Sequence, residues 1–115
     1  MAIINNKKGG TATILVTANT NIALADLEAG DETVTAAQIR MADFCANGNG
    51  TWVVNRGANT ILNLNGSANF DFAGSGFGSI AIDETASINV TCSTTGTLIL
   101  HVSKTSDKDV VSGYE

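Results

Sequence analysis

Residues 33–46, TVTAAQIRMADFCA, decide the fold class of this chain, because two periodicities compete in them. Val34, Ala37, Met41 and Phe44 nearly fit one face of a helix, whereas Ile39, Met41 and Cys45 share one side of a strand. The β-branched run Thr33, Val34, Thr35 weakens a helix start. The segment therefore reads as a short helical turn over residues 35–37 followed by a strand over 38–45. With it goes the one candidate for a long helix, and the rest of the chain is β-like.

Upstream, TATILVT (11–17) places Ala12, Ile14 and Val16 on one face and NIALADL (21–27) repeats the alternation more weakly, before the acidic turn EAGDE. Downstream, the Asn-Gly steps of ANGNG predict a hairpin joining residues 38–45 to 51–55. RGAN turns the chain into TILNLNG, where Leu62 and Leu64 face one way and Ile61 the other. Phe70 and Phe72 flank Asp71, and the glycines of AGSGFGS (73–79) make a bend. SINVTC aligns Ile88, Val90 and Cys92, TLILHV aligns Leu98, Leu100 and Val102, and STTG between them has hairpin length. About seven to nine strands at such spacing predict a two-layer antiparallel β-sandwich, for which a jelly roll is one topology. Its predicted core is Ile14, Val16, Leu24, Met41, Trp52, Val54, Leu62, Leu64, Phe70, Phe72, Ile82, Ile88, Val90, Leu98 and Leu100.

The chain has 115 residues, which suits one domain over 1–115, with 1–10 as an N-terminal arm and 104–115 as a loose or partner-ordered tail. Charged residues are only 15% of it, and a net charge of −5 with six scattered Lys and Arg argues against binding nucleic-acid phosphates. MAIINNKKGG lacks the apolar stretch of a secretory signal, and no run has the length of a membrane helix. Cys45 and Cys92 are accordingly expected in a reducing compartment, as small buried apolar side chains rather than a disulfide.

Little here suggests chemistry. His101 is the single histidine, so neither a nucleophile-base pair nor a zinc set assembles from sequence, and it reads as a rim residue of the sheet. The acids of DLEAGDE lack the spacing of a calcium loop, and AGSGFGS precedes no helix that would cradle a phosphate. No cofactor or metal is expected, and no enzymatic activity. Trp52 reads as core; Arg56 reads as a structural tie to an acid of a neighbouring strand or subunit, and Gly57 as its turn residue.

The segment TWVVNRGANTILNLNGSANFDFAGSGF, with Trp52, Arg56, Gly57, Asn59, the apolar run 61–64 and D-F-A-G from Asp71, resembles small virion structural proteins of tailed bacteriophages, notably phages of marine bacteria. A closing strand like TGTLILHVSK belongs to the same pattern. The resemblance implies a non-enzymatic capsid decoration or cement protein that binds the outer head shell and self-associates, the trimer being the usual form. Its partners would be the major capsid protein or other virion proteins, and its location the virion, assembled in the host cytoplasm. Arg56, Gly57, Asn59, Trp52 and Asp71 are the interface or structural candidates, with Ile3 and Ile4 available to tuck under a neighbouring chain. Tail, collar or fibre component and carbohydrate-binding adhesin module, using Trp52 and Tyr114, are the competing readings.

Overall fold

A computed structural model describes residues 1–72, 80 and 82–108 of the chain. Nine strands lie among these residues: β1 (Ala2–Asn6), β2 (Thr11–Val16), β3 (Thr20–Ile22), β4 (Val34–Ala46), β5 (Thr51–Arg56), β6 (Asn59–Asn65), β7 (Ser67–Asp71), β8 (Ile88–Cys92) and β9 (Gly96–Ser106). One 3-10 turn, Leu24–Leu27, follows β3. The strands form two antiparallel sheets, ordered β1-β2-β9-β4-β7 and β3-β8-β5-β6. Strand pairs β2·β9, β3·β8, β4·β7 and β5·β6 nest one inside the next, as in a long ribbon folded across the two layers. That nesting is the jelly-roll topology, with β1 added outside β2.

The segment 33–46 is strand from Val34 to Ala46, and its helical look has a structural cause. Register shifts between Val34 and Ala36, and again between Ile39 and Met41, leave Thr35 and Arg40 as bulge residues. Each bulge inserts one residue and flips the inward parity. Val34 and Ala37, then Ile39 and Ala42, are thereby buried three residues apart, which is a helical spacing made by a strand. The expected helical turn at 35–37 is absent; the 3-10 turn forms instead at Leu24–Leu27, cutting the strand expected over 21–27 short at Ile22.

Two expected hairpins are corners. β4 and β5 lie in different sheets, as do β8 and β9, so residues 47–50 and 93–95 carry the chain from one layer to the other. Asn-Gly steps fix a local reversal, Gly48 having φ +62°, but not which sheet the next strand joins. Residues 17–19 and Gly66 cross at the same end. There the backbone holds itself: Asn47 N–H donates to the Thr95 carbonyl (2.8 Å), Ala46 N–H to that of Gly66 (2.8 Å), and Cys92 N–H to Asn19 Oδ1 (2.7 Å).

The core between the layers contains Ile14, Val16, Ile22, Leu27, Ile39, Trp52, Val54, Ile88, Val90, Leu98, Leu100 and Val102, all fully buried. Phe70 and Ile82, expected inside, are exposed, and Leu24, Met41 and Phe72 are half-buried. Phe70 is on β7, an outer strand of its sheet, and the bulge at Arg40 rotates Met41 off the inward face. Cys45, opposite in pleat to Phe44, is exposed rather than buried; Cys92 is half-buried, and both are free thiols.

The corners make a sharp test. A Cβ at Gly96 would stand 2.1 Å from the Cys45 carbonyl oxygen and 2.9 Å from Ala46 Cα, whereas at Gly48 it would meet nothing within 4 Å. Gly96→Ala is expected to lose about 1–3 kcal/mol or more by overpacking backbone on backbone. Gly48→Ala should lose only the left-handed strain of about 1–2 kcal/mol. Urea denaturation of the two variants side by side checks the order.

Candidate functional site

Strand β5 alternates strictly, and Arg56 continues the buried stripe of Trp52 and Val54 rather than facing out. Its guanidinium is fully buried. Nη1 donates to the Ala37 carbonyl (2.5 Å), Nη2 to those of Glu84 and Ala86 (2.7 Å each), and Nε to Ala86 (3.2 Å). Ala37 is on β4, so one side chain of the four-stranded sheet is bonded to backbone of the five-stranded one. Its partners are carbonyls of its own chain, in place of the carboxylate expected. Burial pushes the guanidinium pKa down, against the raising effect of the Glu84 and Asp83 charges. Those two acids bond elsewhere: Glu84 accepts from Gln38 Nε2 (2.6 Å) and Asp83 from Asn59 Nδ2. Gly57, at φ +59°, turns the chain beside Asp83.

A second buried cation was not foreseen. Lys104 lies on β9 beyond Leu98, Leu100 and Val102 at the same inward parity, inside the stretch expected to be tail. Its Nζ reaches Glu32 Oε1, Asn6 Oδ1 (2.6 Å) and the Leu27 carbonyl (3.2 Å). Glu32, read from sequence as part of a solvated acidic turn, accepts further bonds from Ala29 N–H (2.7 Å), Gly9 N–H (2.8 Å) and Ser106 Oγ (2.7 Å). The side chains of both Lys104 and Glu32 are wholly shielded from solvent. Burial pushes the Glu32 carboxyl up, but the bonds from Lys104, Ser106, Gly9 and Ala29 outweigh it and hold the pKa at about 2.

The outer face of the five-stranded sheet carries a polar row across four strands. Thr13 Oγ1 and His101 Nδ1 are 3.3 Å apart, His101 Nε2 lies 3.5 Å from Asp43 Oδ2, and Asn69 Nδ2 donates to Asp43 Oδ1. Beside it a solvent-open depression of about 320 Å³ is lined by Thr11, Thr13, Arg40, Met41, Asp71 and His101. Hydroxyl, imidazole and carboxylate have the connectivity of a nucleophile, base and orienting acid. Acyl transfer also needs donors converging on a developing oxyanion. Here the strand amides of β2, β9 and β4 are directed along the sheet into the ladder.

The remaining candidates divide between interior and rim. Trp52 is fully buried and donates its indole N–H to the Cys45 carbonyl (3.1 Å), so it offers no platform to a sugar. Ile3 is half-buried against the core of its own chain, while Ile4 beside it is 55% exposed. Asp71 ends β7 opposite Met41. Tyr114 and the bend at 73–79 lie outside the described residues. Phe70, 47% exposed, stacks between Phe44 (5.9 Å) and Phe72 (6.2 Å). The chain matches no protein-family model, no curated protein and no solved structure.

Arg56→Met removes the donor to three enclosed carbonyls and is expected to cost about 3 kcal/mol or more, read as a drop in the urea midpoint. Glu32 gives a pH signature. Its pKa falls from 4.5 unfolded to about 2 folded, so its contribution is complete above pH 4.5 and lost as pH falls through that window. The loss is about 3 kcal/mol in acid. Thermal unfolding between neutral pH and pH 2 should show it, and Glu32→Gln should be less stable at neutral pH with that acid dependence flattened.

Proposed function

We propose that this protein is a non-enzymatic structural component of a bacteriophage particle, a decoration or cement protein that binds the outer head shell and associates with its own copies. The observation that carries the reading is the state of its sheet edges. β1 (AIINN) and β6 (NTILNLN) are outer strands that contain no charged residue, and the chain has no proline. Free strand edges ordinarily bear lysines, prolines or inward charges that block pairing with another chain. Here apolar side chains stand at both margins of the five-stranded sheet, Ile4 on β1 and Phe70 on β7. Strand addition and edge packing by neighbouring subunits use such margins.

The jelly roll supports this by analogy, since the architecture recurs in capsid and lectin domains. Between those two, burial of Trp52 removes one of the two aromatics, Trp52 and Tyr114, that the sugar reading relied on. The resemblance of residues 51–77 to tailed-phage virion proteins favours the particle, with the head shell as its place and a tail or collar position as the variant reading.

Sedimentation of the purified protein should show a concentration-dependent oligomer, and Ile4→Lys should shift it toward monomer without lowering the melting temperature. Mixed with undecorated phage heads, the protein should co-sediment at a fixed copy number. A monomer at every concentration that leaves shells bare would end the reading; saturable binding to tails alone would move it to the tail.

A further inference from the structure

We infer that Lys104 and Asn6 are positioned to join by an intramolecular amide bond, with Glu32 as the proton-transfer group, tying the first strand to the last. This goes beyond the particle role and does not depend on it. Three reacting groups meet: the Lys104 ammonium and the Glu32 carboxylate, both shielded from solvent, and the carboxamide of the half-buried Asn6. Nζ lies 2.6 Å from Asn6 Oδ1. A C=O bond is about 1.23 Å, so the carboxamide carbon is within roughly 3.8 Å of Nζ. That is close to the separation of a near-attack pair. Asn6 Nδ2 donates to the Leu27 carbonyl (3.1 Å), which fixes the plane of the amide.

The chemistry balances without a cofactor or an oxidant. Glu32 takes a proton from the Lys104 ammonium, freeing the Nζ lone pair to attack Cγ of Asn6. Glu32 gives that proton to Nδ2 and takes the second Nζ proton of the tetrahedral adduct, the Cγ–Nδ2 bond breaks, and the departing ammonia takes the proton held by Glu32 and leaves as ammonium. Ammonium and carboxamide become a secondary amide and an ammonium ion. A carboxylate bonded this well is a weak base, which makes the step slow, but it occurs once per molecule. Orientation supplies the rate, and exclusion of water protects the product from hydrolysis. Asn6 Oδ1 satisfies one of the three Nζ donors, as burial of the ammonium alone would ask. That acceptor is an amide carbonyl, brought to Nζ across 98 residues of chain.

Mass spectrometry of the full-length folded protein decides. The expected result is an intact mass lower by one ammonia, and on digestion a branched peptide in which the Asn6 side chain acylates Nζ of Lys104. Glu32→Gln should lose the branch, whereas Asp31→Asn, at an exposed neighbouring acid, should keep it. Separate linear peptides bearing unmodified Asn6 and Lys104 overturn the proposal. So does an ammonia loss that maps to a cyclised Asn-Gly step such as Asn47–Gly48. A branch that persists in Glu32→Gln overturns the role of Glu32. Where that variant fails to fold, the wild-type peptide map decides alone.

Discussion

The sandwich is closed differently at its two ends, and the end without backbone corners depends on two buried cations. At the corner end, three crossings hold one another through main-chain bonds and close glycine contacts, and the fourth is tied through the Asn19 side chain. At the other end Arg56 and Lys104 converge on one residue of β4: Ala37 gives its carbonyl to Arg56 and pairs in register with Lys104. A buried cation is costly unless every donor has a partner. Lys104 meets that condition through a carboxylate, a carboxamide and a carbonyl, and Arg56 makes four bonds from its five N–H groups to carbonyls of two segments. The cost of desolvating them makes the arrangement specific, since a one-residue slip of β5 or β9 would turn the cation to the other face of its sheet, away from these acceptors.

This division places the outward features. Among the described residues no buried side-chain polar atom lacks a hydrogen bond, and the surfaces that stand out for partners are the sheet margins and the polar outer face of the five-stranded sheet. The margins are uncharged on β1 and β6 and apolar at Ile4 and Phe70. The outer face of the five-stranded sheet carries the polar row of Thr13, His101, Asp43 and Asn69. The proposed role in assembly would draw on the margins, and it is compatible with a core that the proposed covalent tie between Asn6 and Lys104 would lock.

Much of the fold was legible in residue alternation. Ile14 and Val16, Trp52 and Val54, Ile88 and Val90, Leu98 and Leu100 are buried as period-two reading has them. The same rule, carried two residues further, points to Arg56 after Val54 and to Lys104 after Val102. Charge stood against parity at both, and parity won because acceptors wait inside. Glu32 carried a weaker signal, two residues before the inward Val34. The helical appearance of 33–46 had no remedy in the sequence, since a bulge changes parity without marking the residue that bulges.

By itself the sequence determined the all-β sandwich class and the inward side chains of the regular strands, Ile14 and Val16, Trp52 and Val54, Ile88 and Val90, Leu98 and Leu100. Those follow from local sterics and from the period of the pleat. Only the tertiary structure decided that ANGNG and STTG are corners between sheets, that β1 joins the outside of β2, and that Asn6, Glu32 and Lys104 meet. The reason is physical: a turn fixes the direction of a few residues, whereas the choice of sheet and the partners of a buried charge depend on segments far apart in the chain.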